Sequence, residues 1–412
     1  MASAVKSRVV ITGVGIVAPN GIGKDAFWKS LLRAESGIDH ITLFDASKHP
    51  CKIAGEVKNF DPTVIFPRPG FAKRRARQDL FAAAATLFAM EDAGLDPNKR
   101  NGGIDVCLGV SCPAVELIEQ GFRRIESHGP SRVPVHVATS GQPHHAATSI
   151  SELLPCVRNT QTHSSACIAG SEALAHGFNL IESGRADVIL AGGTDAPINS
   201  LTYACLAQSG LLTERKVAPH LSSCPFDAAH DAGIISEGAC ILVLESLDHA
   251  QLRGREAYAE IISSGFQKDD SKDTPASGLE FAIRNALNNA GLIGEDIDYI
   301  SAHGPSHRVL DRAETAIIKK VFGSWAYKIP VSSIKGIIGN PLAAAGPMQV
   351  AATLLAMRDD LVPPTANLNT PDPQCDLDYV PNTPRRARLN TALVDVHGLG
   401  GDNACIILQR LS

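Results

Sequence analysis

The chain has 412 residues, is 44% hydrophobic and carries a formal net charge of −5. That length predicts two domains or one large duplicated unit with a sizeable core, and the acidic balance argues against a nucleic-acid binder, whose domains are strongly basic. No run approaches the ~20 apolar residues of a membrane span, and no signal-peptide segment precedes the first strand. Ten cysteines without a C-x-x-C pair are typical of reduced thiols. We therefore expect a cytoplasmic enzyme.

The first half of the chain alternates short apolar runs with helical segments. In chain order we predict a strand over 9–15, helices over 24–32 and 78–93, a strand over 104–110, a helix over 165–183, and strands over 188–193 and 239–245. Gly94 and Gly184 follow two of these helices, as C′ glycines commonly do. Continuous apolar strands between helices predict an α/β fold whose sheets are covered on both faces.

The same alternation returns in the second half. We predict a strand over 259–266, a helix over 277–290, a strand over 298–304, a helix over 311–321, a helix from a Gly/Ala-rich turn at 339–346 to about 358, and strands over 391–401 and 404–410. Both halves place a polar group after a strand that ends in glycine, which predicts an internal duplication. We expect halves 1–255 and 256–412 to pack as one body, because no low-complexity linker separates them.

One cysteine has unusual surroundings. Residues 163–173 read HSSACIAGSEA and place Cys167 at a predicted helix start among alanines, serines and a glycine. A buried structural cysteine usually has bulky aliphatic neighbours, whereas the unpaired N–H groups and dipole of a helix N-terminus favour a thiolate. The pattern indicates a nucleophile.

Two of the 14 histidines also stand apart. His303 follows the apolar run YISA and precedes a glycine, and His397 occupies a comparable place in VDVHGLGG. Open α/β sheets present functional groups at the ends of their strands. No metal-ligand spacing such as HExxH is present, so we expect solvated or satisfied side chains at the loop histidines His144, His145, His220 and His230.

Six stretches in chain order are similar to motifs of one family. They read VVITGVGIVAPNG, SSACIAGSEALAHGFNLIESGRADVILAGGTD, CPFDAAHDAGIISEGACILVLES, SAHGPSHRVLDRAE, PVSSIKGIIGNPLAAAGPMQVAATLLAMRDDLVPPTANL and VDVHGLGGDNACIIL. Together they resemble the β-ketoacyl-acyl-carrier-protein synthases, the condensing enzymes of fatty-acid and polyketide synthesis. The resemblance implies a thiolase-like, five-layered αβαβα fold with two pseudo-duplicated halves. The nucleophilic cysteine would lie in the first half, and His303, Lys335 and Asn340 in the second.

By this resemblance Cys167 is the acyl-accepting thiol. The acyl thioester needs room, which the small residues Ala166, Ala169 and Gly170 would provide, and the helix start would lower the pKa of the thiol. The backbone N–H groups of Cys167 and Leu399 would form the oxyanion hole.

The resemblance assigns the remaining catalytic roles in the second half. His303 would hydrogen-bond the thioester carbonyl of the extender unit while the malonyl group loses carbon dioxide. Lys335 and Glu314 match the family's supporting pair, and the apolar run VSSIKGIIG argues against a merely solvated lysine. No metal or organic cofactor is implied, because the phosphopantetheine arm of an acyl carrier protein brings the substrate.

The largest departure from the family is Asn340, which stands where elongating members carry a second histidine. Asparagine can donate a hydrogen bond to an enolate oxygen, but it cannot exchange a proton. Initiating and chalcone-synthase-like enzymes have a similar Cys–His–Asn arrangement and still decarboxylate malonyl units. In elongating-type frameworks, however, loss of this histidine often marks a module that transacylates without condensing. The sequence leaves both outcomes open.

Further departures concern the substrate contacts. The family motif H-G-T-x-T, whose hydroxyls hold the pantetheine arm, has become a run with Pro305, Ser306 and His307 after the histidine. Leu399 replaces the gatekeeper phenylalanine, and His397 stands in the N-S-F stretch before it. We expect a gate at Leu399 and an acyl pocket or an order of entry that differs from housekeeping elongation. The expected substrate contacts are Pro305, Ser306, His307, His397 and Phe266.

A basic stretch gives a candidate surface for the carrier. The stretch contains four cations, Lys73, Arg74, Arg75 and Arg77. They fit a docking patch for an acidic carrier protein, and a solvated loop of positive charge is an equally good alternative. Family members pair their sheets across a two-fold axis, so we expect a homodimer, with a heterodimer with another ketosynthase-like chain as the alternative.

Three functions remain in order of preference. The first is a condensing enzyme acylated on Cys167 that joins this acyl group to a malonyl-derived carbanion. The second is a non-condensing acyltransferase with the same thioester intermediate. The third is a chain-length-factor-like partner of an active ketosynthase, against which the intact SACIAG context of the cysteine argues.

Overall fold

The computed structural model describes residues 6–66, 68, 70–98, 103–271 and 274–411. The strands are β1 (Val9–Ala18), β2 (Gly21–Ile22), β3 (Asp39–His40), β4 (Ile53–Ala54), β5 (Ile104–Gly109), β6 (Val157–His163), β7 (Val188–Asp195), β8 (Gly238–Ser246), β9 (Ala259–Lys268), β10 (Tyr299–Ser301), β11 (Val331–Ser332), β12 (Leu361–Val362), β13 (Arg385–Arg386), β14 (Thr391–His397) and β15 (Asp402–Gln409). The helices are α1 (Lys24–Leu32), α2 (Pro62–Ile65), α3 (Arg77–Ala93), α4 (Val115–His128), α5 (His136–Ser140), α6 (His145–Leu153), α7 (Ala169–Glu182), α8 (Ser200–Gln208), α9 (Leu247–Leu252), α10 (Ser277–Ala290), α11 (Arg308–Phe322), α12 (Lys335–Ile338) and α13 (Ala345–Asp359).

One sheet of 11 strands contains two runs with the same topology. The first run is β1-β8-β7-β5-β6, with β2 paired to β1, and the second is β9-β15-β14-β10-β11. Numbered in chain order within each half, both runs read 1-5-4-2-3. Both begin with two antiparallel pairings and end with two parallel ones. The predicted duplication is confirmed, while the exact boundary after residue 255 stays a prediction.

The two runs join where β1 and β9 pair antiparallel, Val9 opposite Ile261. Helices α7 and α13 contact each other and strands of the two runs, α3 covers β1, and α10 covers β9. This is the expected helix–strand–helix–strand–helix layering. The central strands β5, β7 and β8 and the helix α13 are mostly apolar because they are buried from both sides. Every residue of these three strands is buried.

Glycines bring the outer helices onto the sheet. A Cβ on Gly15 of β1 would lie 1.8 Å from the carbonyl oxygen of Ala85 in α3, and a Cβ on Gly265 of β9 would lie 2.1 Å from that of Ala282 in α10. The same close approach in both halves is a second sign of duplication.

The clearest differences from the predicted elements are at the end of β10 and between β5 and β6. β10 ends at Ser301, so His303 lies in the loop beyond the strand. β6 and the helices α4 to α6 have no predicted counterpart, because β6 is polar and the region between β5 and β6 lacks a continuous apolar run. Along the described ranges, no helix is long and apolar enough to cross a bilayer.

Candidate active site

A strained turn presents the thiol of Cys167. After β6 the chain enters a 3-10 turn, Ala166–Ile168, in which Ala166 has φ +52°, a left-handed conformation that non-glycine residues rarely adopt. α7 begins directly afterwards, so Cys167 lies just before the helix rather than inside it. Its side chain reaches the wall of a cavity of about 450 Å³ while the residue is only 6% exposed.

The cavity brings the predicted residues together from both halves. Cys167 shares its wall with His303, in the loop after β10, and with Asn340, in the turn after α12. His397 at the end of β14 and Leu399 in the loop after it complete the group. Pro305 and His307 line the same cavity, as expected for substrate contacts, and apolar walls surround the group, formed by Leu206, Leu211, Ile234, Val309, Leu310 and Leu342. A polar centre with apolar walls is typical of a small-molecule site.

Gly170 serves packing rather than room for an acyl group. A Cβ on Gly170 would lie 2.1 Å from the carbonyl oxygen of Ala343, and a Cβ on Gly109, at the end of β5, would lie 2.2 Å from the backbone nitrogen of Gly170. The small residues after Cys167 therefore let α7 approach β5 and the second half of the molecule.

The resting thiol is protonated. Burial raises the pKa of the Cys167 thiol, and the nearby Asp195 carboxylate adds to this rise. The backbone N–H of Leu399, the charge of Lys335 and the side chain of Asn340 oppose it but do not reverse the direction. The expected lowering of this pKa was wrong, because desolvation outweighs the helix start.

Two carboxyl groups fix the backbone around His303. The His303 N–H donates to Glu314 Oε1 (2.7 Å) and Asp395 Oδ1 (2.9 Å), and the Gly304 N–H donates to Glu314 Oε2 (2.8 Å). Burial and the adjoining Asp395 raise the pKa of Glu314 well above its ordinary value. Each of the two buried carboxyl groups therefore disfavours the charge of the other.

Lys335 connects with the opposite side of the same histidine. Its Nζ donates to the His303 carbonyl oxygen, to Gln349 Oε1 (3.0 Å) and to His303 Nδ1 (3.3 Å), so an ammonium has three donors for three acceptors. No direct ion pair joins Lys335 to Glu314 among the described residues; the two meet through His303. Burial lowers the pKa of Lys335 to about 8, and the charges of Glu314 and Asp395 limit that fall.

These contacts set the role of His303. Because Nδ1 accepts from Lys335, the ring proton is assigned to Nε2. Burial lowers the pKa of His303 well below its ordinary value, and the charges of Lys335 and His397 add to this. His303 is a neutral imidazole that offers an Nε2–H donor and no free proton acceptor.

Asn340 is anchored by its backbone, and its side chain hydrogen-bonds the Cys167 thiol. Its N–H donates to the Ile234 carbonyl (2.7 Å) and its carbonyl accepts from Ser236 (3.0 Å), after the turn at Gly339 with φ +71°. Asn340 Oδ1 is buried without a hydrogen-bond partner among the described residues. An amide with an unsatisfied group in a cavity is suited to a ligand.

Two residues predicted as substrate contacts do not line the cavity. Ser306 is fully buried, and its hydroxyl accepts a hydrogen bond from the Cys224 N–H (2.9 Å). Phe266 is half-buried and packs against the apolar cluster to which Cys167 belongs. Neither position could be distinguished in the sequence, because the side to which the loop residue Ser306 or the β9 residue Phe266 turns depends on distant partners.

Half of the basic stretch is engaged within the chain. Arg77 makes a bidentate pair with the buried Glu237, at 2.7 and 2.8 Å, and Arg75 pairs with Glu152. Lys73 and Arg74 remain exposed.

Three further residues of the site were not found in the sequence. Gln349 on α13 donates to the carbonyls of residues 301, 302 and 395, each at 3.0 Å. Asp195 accepts the N–H groups of residues 111, 112 and 343. Asn403 holds His397. In the sequence, Gln349 is recognisable only as a single polar residue within an apolar run, and Asp195 as a single carboxylate at the end of one.

Comparison with known proteins agrees with this architecture. The sequence matches the family model "Beta-ketoacyl synthase, N-terminal domain" over residues 6–250 and "Beta-ketoacyl synthase, C-terminal domain" over residues 258–369. It is 37% identical to the tetracenomycin polyketide synthase ketoacyl synthase alpha subunit of Streptomyces glaucescens, covering 98% of this chain and 97% of that protein. It is 35% identical to 3-oxoacyl-[acyl-carrier-protein] synthase 2 of Coxiella burnetii, covering 98% and 99%.

Solved structures show the same fold. The ishigamide ketosynthase/chain length factor matches with a TM-score of 0.91 and 30% identity, over 99% of this chain and 100% of that one. A type II PKS acyl-carrier protein in complex with its ketosynthase bound to the hexaketide matches with a TM-score of 0.91 and 31% identity, over the same shares.

Proposed function

The chain belongs to the β-ketoacyl synthase family, the condensing enzymes of fatty-acid and polyketide synthesis, and from this premise we propose that its Cys–His–Asn site carries out decarboxylative condensation. The observation that carries the proposal is the shared cavity wall of Cys167, His303 and Asn340. His303 offers Nε2–H, and the Asn340 amide has N–H groups to offer, so two donors are available for one oxyanion.

The proposed reaction has two stages. An acyl group is first transferred from a thioester to Cys167, with the backbone N–H groups of Cys167 and Leu399 as oxyanion donors. A malonyl thioester then loses carbon dioxide, and the electron pair of the broken carbon–carbon bond passes to the thioester oxygen as an enolate. His303 and Asn340 hydrogen-bond that oxygen. The enolate carbon attacks the acyl carbonyl, and the Cys167 sulfur leaves.

The second candidate is an acyltransferase that stops after the first stage. Asn340 favours it, because an amide cannot exchange a proton where the family's elongating members have a histidine. A chain-length-factor-like role is the third candidate, and the retained Cys167 on its strained turn argues against it.

The test follows both stages on the same protein. The full chain is mixed with acyl carrier protein loaded with malonate and with an acyl donor, and Cys167 acylation and carbon dioxide release are measured for the parent, Asn340→His and Asn340→Ala. We expect the parent to do both, and Asn340→Ala to keep acylation while decarboxylation falls about 100-fold or more, the cost of losing one oxyanion donor.

Cys167→Ala is the control and should show no acylation. Acylation of the parent without carbon dioxide release, with release appearing only in Asn340→His, would replace condensation by acyl transfer.

We further propose that an acyl carrier protein docks at Lys73 and Arg74. The two exposed cations suit an acidic partner, whereas Arg75 and Arg77 stabilise the fold through their internal pairs. Reversing the charge of Lys73 and Arg74 together should weaken carrier binding and reduce its dependence on salt. Equal affinity for the parent and the double variant would leave these residues as a solvated loop.

The remaining elements of the proposal are the assembly and its setting. The strand β6 lies at the edge of the sheet and is mostly exposed, so it can pair with a second chain, which supports a homodimer, with a heterodimer as the alternative. All ten cysteines are unpaired thiols, which supports a cytoplasmic location. The reaction needs no resident cofactor, because the phosphopantetheine arm belongs to the carrier.

A further inference from the structure

Loading an acyl group on Cys167 requires a proton acceptor, and this need rests on the first stage of the proposed function. The thiol is protonated at rest because burial raises its pKa. In the transfer, the sulfur must lose its proton to attack the donor thioester, and the departing carrier sulfur must gain one. A single group that accepts the proton of the Cys167 thiol and then gives a proton to the carrier sulfur would meet both needs.

The groups already assigned to the site cannot do this. His303 has its Nδ1 occupied by Lys335 and a proton on Nε2, so it can only donate. Asn340 has no exchangeable proton in the useful range. Lys335 has three acceptors for its three protons, and its ammonium is committed to them.

His397 has the missing property. It is the last residue of β14 and lies directly opposite Asn403 of β15 in the ladder, where its Nδ1 is 2.8 Å from Asn403 Oδ1. Asn403 Nδ2 is 2.7 Å from Asp269 Oδ1 and 3.0 Å from the Gln267 carbonyl oxygen, both of which accept hydrogen bonds. The amide can therefore point only one way, with Oδ1 toward the histidine.

This orientation fixes the tautomer of His397. An amide oxygen accepts, so Nδ1 must carry the ring proton, and Nε2 is left as the proton-accepting atom of the neutral ring. Within the described part of the chain Nε2 has no hydrogen-bond partner, and the ring lines the cavity.

The position of His397 suits a role at the thiol. Its neighbour Gly398 runs beside the nucleophile, since a Cβ there would lie 3.7 Å from the Cys167 backbone nitrogen. The ring centroids of His397 and His303 are 6.1 Å apart, in an edge-on arrangement. The imidazole therefore lines the same cavity wall as the nucleophile and as the histidine that binds the extender.

Ionisable groups surround His397 on several elements. His303 in the loop after β10 and Asp395 on β14 itself interact with it directly, and Cys167 shares its cavity wall. Lys335 on α12 and Glu314 on α11 lie one step further away, bonded to His303, and Asp269 binds its partner Asn403, next to which Asp402 lies in the chain.

We propose that His397 is the base of acyl loading: its Nε2 takes the proton of Cys167 as the sulfur–carbon bond forms, and returns it to the carrier sulfur as the old thioester bond breaks. Cys167 ends as a thioester, the carrier ends as a thiol, and His397 ends as it began. The chain thus has an imidazole for proton transfer although position 340 is an asparagine.

The test measures single-turnover acylation of Cys167 by intact mass across a range of pH, with acyl carrier protein loaded in turn with acetyl, butyryl and octanoyl groups. His397→Gln keeps a hydrogen-bonding side chain without a proton to exchange. We expect it to acylate about 100-fold more slowly or worse, the usual contribution of a general base, and to lose the acid limb of the parent's profile.

Two comparisons keep the result specific. His307→Gln removes the other histidine of the cavity wall that has an unpartnered nitrogen, and should change the concentration of carrier needed while preserving the parent's pH profile. His397→Ala should recover part of its rate when imidazole is added, which a misfolded protein would not do.

Two results would overturn the assignment while leaving condensation intact. One is acylation of His397→Gln at the parent's rate. The other is loss of the acid limb in His307→Gln while His397→Gln keeps it. If acylation slows in His397→Gln as expected but the parent releases no carbon dioxide, condensation is refuted and His397 remains the loading base.

Discussion

Two equivalent turns, one from each half, meet at the centre of the molecule. Ala166–Ile168 leads into α7 and Leu342–Ala344 leads into α13, and each is a 3-10 turn whose first residue has a positive φ, +52° and +50°. The second residue is Cys167 in one turn and Ala343 in the other. Cys167 faces the cavity, whereas Ala343 is fully buried and its N–H donates to Asp195 Oδ2 (2.8 Å).

The surroundings of the turns differ more than their backbones. In the first half the buried carboxyl of Asp195 accepts hydrogen bonds from backbone N–H groups and from Ser111, and burial raises its pKa to about 7. In the second half Glu314 and Asp395 have a lysine close by, with His303 between them. The first half therefore contributes the nucleophile, and the second half contributes the charged side chains around His303. The two halves share a backbone arrangement and differ in the side chains that do the chemistry.

The largest test of this division removes the charge of the second half. Lys335→Met would leave three acceptors without donors, so we expect condensation to fall about 100-fold or more. In the parent, the rate should fall as pH rises through about 8, since the neutral amine has two N–H groups for three acceptors. The variant should lack this limb, as pH profiles of carbon dioxide release would show.

Loss of activity above pH 8 should not reflect unfolding. Between about 8 and the ordinary value of 10.5, the unfolded chain holds a proton on Lys335 that the folded chain has lost. Stability from this group therefore rises with pH in that window. The exposed Lys29→Met is the matched control and should keep the parent's profile; an alkaline limb in Lys335→Met would assign it to another group.

A smaller test uses the contact between the two turns. Gly170→Ala places a Cβ 2.1 Å from the Ala343 carbonyl oxygen, which is backbone, whereas Gly346→Ala places one 2.1 Å from the Ser171 hydroxyl, which can rotate away. We expect Gly170→Ala to cost about 1–3 kcal/mol of unfolding free energy and Gly346→Ala distinctly less, by urea denaturation. Equal losses would mean that the two sides of the contact are equally rigid.

Much of the frame could be predicted from local sequence. α10 and the end of α3 were predicted at their observed bounds, because the glycines that follow them, Gly94 and Gly291, adopt the left-handed conformation of a C′ residue. Motif order located Cys167, His303 and Asn340 in one cavity.

What could not be predicted depends on distant contacts. The pKa direction of Cys167 was wrong because burial by the second half decides it. The strand β6 was missed because its residues VRNTQTH form a strand only through pairing with β5. The direct contact of Lys335 is with His303 rather than Glu314, and only the folded loop after β10 reveals it.

The burial of Cys167 also bears on chemical durability. Peroxide oxidises a thiolate far faster than a thiol, and Cys167 is a buried residue whose thiol has a raised pKa. Its nucleophilic form arises during acyl loading, when the cavity is occupied by substrate. A resting molecule is therefore protected from oxidative inactivation by the same desolvation that makes it depend on a neighbouring base.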